Sequence, residues 1–218
     1  MAFGACGNTT TKAPPAAVDE AAPAAARAAR TDRAATFWKW FTETAETLRA
    51  ESDLRKTMER ITGELAKAYQ GVLAEIGSDG DDRLLVLSAD GIKDLFPAVQ
   101  ELYAARPIVK GWTIVAFRQP AKPGAPTLTI EMGDQKIEPA QLKFVATPAG
   151  AKLDLEVYIP GFTTNEEMGQ IGFVILDHVL GEYDMETKVG GIRFAALAEA
   201  PAAARPLAEL PALIDALK

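Results

Sequence analysis

Between Arg83 and Ile159 the large apolar residues come in short runs closed off by turn residues, and this spacing restricts the fold more than any other feature. Arg83 to Ser88, Gly111 to Arg118, Thr127 to Met132, Leu142 to Thr147 and Lys152 to Ile159 each have the length and apolar content of a strand. A Gly133-Asp134 corner predicts a tight hairpin toward Lys136-Ile137, and Gly191 to Leu197 supplies a last strand. Around these runs the apolar period changes to three and four. Thr36 to Ala50 reads as a helix with Phe37, Trp40, Phe41 and Leu48 near one face. Leu54 to Ile76 repeats Leu54, Met58, Ile61, Leu65, Tyr69, Val72 and Ile76 at helical spacing. Further helices are expected over Ile92 to Ala105, with Pro97 in the first turn, and over Thr164 to Leu180, capped by Thr164 or Asn165. Leu207 to Leu217 reads as a short terminal helix. The expected architecture is therefore α+β: a mixed, mainly antiparallel sheet of about five or six strands, covered by helices on one face, with the first two helices as an antiparallel pair.

Residues 1–32 stand apart. They hold alanine, proline and small polar residues with almost no large apolar side chain, so they read as a disordered leader or tether ahead of one domain over residues 33–218. Small residues flank Cys6 and a flexible run follows it, as in the lipobox of a bacterial lipoprotein, but only five residues precede it where such a signal needs a basic and an apolar segment. As written the chain is expected in the cytoplasm. A start lying upstream would make Cys6 a lipidation site and the protein a cell-envelope lipoprotein. The competing reading is an unpaired cysteine in a disordered leader. No run approaches the length of a spanning helix.

Charge and motifs exclude several functions. The net charge of −7 and the scattered placement of Lys and Arg argue against nucleic acid as a partner, since phosphate recognition needs a basic face. GxGxxG, the Walker loop, HExxH, CxxC and GxSxG are all absent, so no cofactor is called for. Ser88 and Cys6 have no base nearby in sequence, and the chain holds a single histidine. That residue, His178, falls on the apolar stripe of its helix and reads as a histidine at the edge of the core. A sharper reading joins Asp177, His178, Glu182, Asp184 and Glu186 as an acid/base or metal-ligand set. A transition metal would want a second His or Cys, which leaves an oxygen-ligated divalent cation as the alternative. Asp79, Asp81 and Asp82 lack the spacing of a calcium loop and read as a solvated turn.

Glu182, Asp184 and Glu186 recur at every second position after the expected end of a helix, where the macrodipole disfavours carboxylates. Either Lys188 or Arg193 offsets them, or the acids form a binding surface for a basic partner. Trp38, off the face shared by its aromatic neighbours, is expected to be an exposed contact residue.

Phe37-Trp38-Lys39-Trp40-Phe41, Ser88-Ala89-Asp90-Gly91, Gly111 to Arg118 and Leu180-Gly181-Glu182-Tyr183-Asp184 together resemble an uncharacterised bacterial protein family with an N-terminal FWxWF helix and a C-terminal LGExD segment. The resemblance covers Phe37 to Leu217 and implies a fold; the family carries no established activity to transfer. On the residues themselves the leading expectation is a non-catalytic interaction or regulatory module with a protein partner. The alternative is a small metal-assisted hydrolase using the segment from Asp177 to Glu186.

Overall fold

The structure, a computed structural model, describes residues 24–122, 127–132, 135–164 and 166–217. The leader up to residue 23 with Cys6, residues 123–126 of the proline-rich loop, the Gly133-Asp134 corner and the cap at Asn165 lie outside the described residues.

The chain is α+β, but among the described residues its strands form three small sheets rather than one. Helix α1 (Ala24–Ala50) begins well before Thr36, and α2 (Leu54–Leu65) follows after a short break. Asp53 caps α2 by accepting from the N–H groups of Arg55 and Lys56, two of the donors a helix start leaves unpaired. The pair is antiparallel: Arg33 near the start of α1 reaches Ala68 beyond the end of α2, while Thr57 in α2 meets Leu48 near the end of α1.

Helical periodicity does not carry α2 to Ile76. Leu73–Asp79 instead forms β1, hydrogen-bonded antiparallel to β2 (Asp82–Ser88) through a tight turn at Gly80-Asp81. After β2 a single 3₁₀ turn leads into α3 (Phe96–Ala104), with Pro97 in its first turn, and the chain returns as β3 (Trp112–Ala116), parallel to β2. Sheet order is β1-β2-β3. Phe37, Phe41, Leu48, Ile61, Leu65, Leu85, Leu87, Val99, Leu102 and Phe117 make one continuous core between this sheet and α1 to α3.

The second unit begins with a small hairpin, β4 (Ile130–Met132) and β5 (Gln135–Ile137). Strands β6 (Lys143–Ala149) and β7 (Lys152–Ile159) pair antiparallel. Two helices follow, α4 (Glu166–Leu180) and α5 (Glu182–Lys188), before β8 (Val189–Ala196) returns parallel to β7. A two-residue strand, β9 (Arg205–Pro206), completes the order β8-β7-β6-β9, and α6 (Leu210–Asp215) ends the fold. Phe144, Leu155, Val157, Met168, Ile175, Leu176, Leu207, Leu210 and Ile214 form a second core. No helix among the described residues is long and apolar enough to cross a membrane.

Helix α5 touches both cores. Tyr183 packs against the first, stacked on Phe96 at 5.7 Å and tilted against Phe117 at 5.3 Å between ring centroids, whereas Met185 is buried in the second.

Candidate functional site

Parallel strands β2 and β3 end side by side, so the turns that follow them lie next to one another. Both turns leave the ordinary backbone regions: Asp90 has φ of 51° and Phe117 φ of 62°. Non-glycine residues adopt this left-handed conformation at a cost, and such positions gather at sites where geometry is imposed by the surroundings. Here the strained turns aim their N–H groups at one carboxylate, Glu182.

Glu182 is 0% exposed. Its Oε1 accepts from the N–H of Ala89 (2.9 Å) and of Gly91 (3.2 Å), and its Oε2 from the Ser88 hydroxyl (2.9 Å) and the Arg118 N–H (3.1 Å). In return the Glu182 N–H donates to the Arg118 carbonyl at 2.9 Å. Removing a carboxylate from water costs several kcal/mol, and four donors are what makes the burial tolerable.

Arg118 extends the cluster outward. Its Nε donates to Asp177, and one terminal nitrogen donates to Glu75 (2.8 Å) and to Ser88 (3.1 Å) while lying 3.5 Å from Asp90. Burial opposes its charge, but the Glu75 hydrogen bond and the carboxylates of Asp177, Glu182 and Glu75 outweigh it, so its pKa is raised and the guanidinium is held protonated. For Asp177 the balance runs the other way. Burial raises its carboxyl above the ordinary value, Glu182 and Glu75 add to the rise, and Arg118 only partly opposes it.

Around this cluster lies a cleft of about 490 Å³. Glu75, Asp90, Asp177, Glu186 and Arg118 line it together with Phe173 and Val174 of α4, which are 50% and 52% exposed and stand one helical turn before Asp177.

These positions correct three expectations. Glu182, Asp184 and Glu186 do not form an exposed acidic patch beyond a helix C-terminus. Gly181, at φ 76°, breaks the helix and starts a new one, which places Glu182 and Asp184 in the first turn of α5, the end that favours carboxylates. Glu182 turns inward, Asp184 is buried with Lys188 at 3.3 Å, and Glu186 meets Lys93 at 3.5 Å. Lys188 is thus one of the two expected counter-charges, whereas Arg193 pairs with Glu156 instead. Trp38 is not exposed: it is buried in the first core, donating its indole N–H to the Leu102 carbonyl at 2.8 Å. The expected acid set is also not one set. Asp177 and Glu182 face Arg118, His178 is half-buried on α4, and among the described residues no group of His, Cys, Asp or Glu side chains converges as a metal ion would require.

Sequence reasoning passed over Glu75, Asp90, Arg118 and Phe173, and met Ser88 only as a nucleophile without a base. Ser88-Ala89-Asp90-Gly91 directly after an apolar strand marks a turn rich in unpaired N–H groups. Nothing in that signal names its acceptor, which lies 93 residues away from Ala89. No family model, curated protein or solved structure matches the chain.

Proposed function

We propose that the chain is a non-catalytic interaction module that binds a protein partner at the cleft between the ends of β2 and β3 and helix α4. One observation carries the reading: the groups that could do acid/base or nucleophilic work here are spent on one another. Ser88 is fully buried, with its hydroxyl already shared between Glu182, Arg118 and the Asp90 N–H. Glu182 has no exposed surface and four donors on its two oxygens, so it has neither room for a substrate nor a free lone pair aimed at one. Among the described residues no buried side-chain nitrogen or oxygen lacks a partner, which is how a structural network looks and not how a poised active site looks.

What faces the cleft opening is suited to an interface. Two adjacent large apolar side chains stand half out of water beside charged groups, the pairing of apolar centre and polar rim found at binding surfaces. The carboxylate-rich wall would repel phosphate, which supports a protein partner over a nucleic acid.

Panning a displayed random-peptide library on the protein and on a Phe173→Ala variant tests this. Sequences enriched on the parent and lost on the variant are the expected result. A library that enriches nothing, or equally on both, overturns the reading.

A further inference from the structure

The cleft also carries information about its occupant. We infer that it takes a Lys- or Arg-bearing peptide segment, with the aliphatic stem of the basic side chain laid along Phe173 and its head group among the carboxylates. This rests on the interaction-module reading and names the chemistry of its partner.

The apolar side comes first. Phe173 stands edge-on to Phe194 at 5.2 Å between ring centroids, and Phe194 in turn lies 6.4 Å from Phe162, so three rings form a ledge leading away from the cleft. The ledge is fixed from below. A Cβ on Gly172 would fall 2.3 Å from the Phe194 ring, so only a glycine there lets β8 bring that ring against α4. An anchored, half-exposed aromatic ring is a surface on which a basic side chain gains both apolar contact for its stem and cation–π attraction for its head.

The charged lining supplies charge complementarity. Of the acids lining the cleft, Glu182 is sealed by its four donors and Glu186 pairs with Lys93, which leaves Glu75, Asp90 and Asp177 around one cation, Arg118: three negative charges less one positive leave an excess of two. Arg118 is divided between Asp177, Glu75 and Asp90, while at the margin Lys93 pairs with Glu186 and the Lys152 ammonium lies beside both. Asp90, at 61% side-chain exposure, is the most open of the carboxylates paired with Arg118. A cation entering here meets three carboxylates that share a single protein cation.

Two other occupants fit less well. A second copy of the chain would bring a net charge of −7 toward an acidic wall. A bare metal ion would leave the aromatic ledge unused, and the volume exceeds what one ion fills.

The test is fluorescence anisotropy with three labelled peptides that share a leucine-flanked frame and differ only in two central residues: lysine, glutamine or glutamate. The lysine peptide should bind at least about tenfold more tightly than the glutamine peptide. It should weaken strongly as salt rises from about 50 to about 500 mM, as exposed charge pairs do. A Glu75→Gln/Asp90→Asn double variant should remove the preference for lysine; asparagine suits the left-handed backbone at position 90, so the turn survives. If the glutamine or glutamate peptide binds as well as the lysine one, the cationic occupant is wrong while the interaction module stands. If none of the three binds, the inference also fails, and the library panning then decides separately whether the cleft binds anything.

Discussion

Glu182 and Asp177 sit five positions apart on consecutive helices, and the fold treats them oppositely. Glu182 is sealed and saturated with donors, whereas Asp177 keeps part of its surface and faces a single cation shared with two other acids. The consequence for Asp177 is a carboxyl raised above its ordinary 3.8, chiefly by burial. Between 3.8 and that raised value the native state holds more protons than the unfolded chain, so this group's contribution to stability falls as pH rises through the window and is recovered as pH falls. An Asp177→Asn variant lacks the titration. Urea midpoints of parent and variant should differ by the equivalent of about 1 kcal/mol or less at neutral pH, and the parent should gain on the variant as the pH is lowered toward 4. A gap that moves in the variant's favour on acidification would mean that Arg118, not burial, dominates at Asp177.

At the scale of elements, the break between α4 and α5 is the feature on which the site depends. Had the helix continued past Leu180, Glu182 would follow the axis of α4 instead of turning into the β2 and β3 ends. Gly181 makes the turn, with φ of 76° and a Cα so close to the β3 turn that a Cβ would lie 2.8 Å from the Arg118 carbonyl oxygen and 2.9 Å from the Pro120 nitrogen. These are backbone atoms and cannot swing aside. Gly181→Ala therefore combines an unfavourable dihedral with a clash and should cost about 1–3 kcal/mol in thermal or urea unfolding, whereas alanine at the helical Gly63 or Gly169, where a Cβ meets nothing within 4 Å, should be neutral or stabilising. Equal effects at the three positions would show that the break tolerates a side chain.

Across the whole molecule, the contacts that join the two cores include the Tyr183 rings, the Glu182 cluster, the Arg118–Asp177 and Lys93–Glu186 pairs, and the Ala121 N–H donating to the His178 carbonyl. All three tryptophans, Trp38, Trp40 and Trp112, belong to the first core, so their fluorescence reports on that unit while far-UV circular dichroism reports on both. In the parent the two signals should trace one urea transition. Glu182→Gln puts an amide N–H₂ where one carboxylate oxygen faced N–H donors, which should cost about 1–3 kcal/mol and weaken the coupling. The two signals are then expected to separate. Coincident transitions with an unchanged midpoint would show that the buried carboxylate does not join the units.

Much of the secondary structure was legible because it depends on local pattern. The strand at Lys152–Ile159, the β2 and β3 runs, the helix ending at Leu180 and Pro97 in a first turn all follow from side-chain period and backbone preference within a few residues. Two readings failed because pattern is degenerate over short stretches. Leu65, Tyr69, Val72 and Ile76 keep helical spacing, yet the backbone from Leu73 is claimed by pairing with β2. Trp38 looked exposed on a helical wheel, but α1 is covered on two sides, by α2 and by the end of α3, and its indole finds a carbonyl there. The candidate site was hardly legible at all. Composition identified the acids near residue 182, but which of them is buried, against what, and beside which exposed ring is settled by hydrogen bonds spanning 59 to 94 residues. Local chemistry determines which elements form and what charge the chain carries; only packing brings the ends of two parallel strands under one helix break and so decides that Glu182 is buried and that Phe173 stands half-exposed beside the cleft.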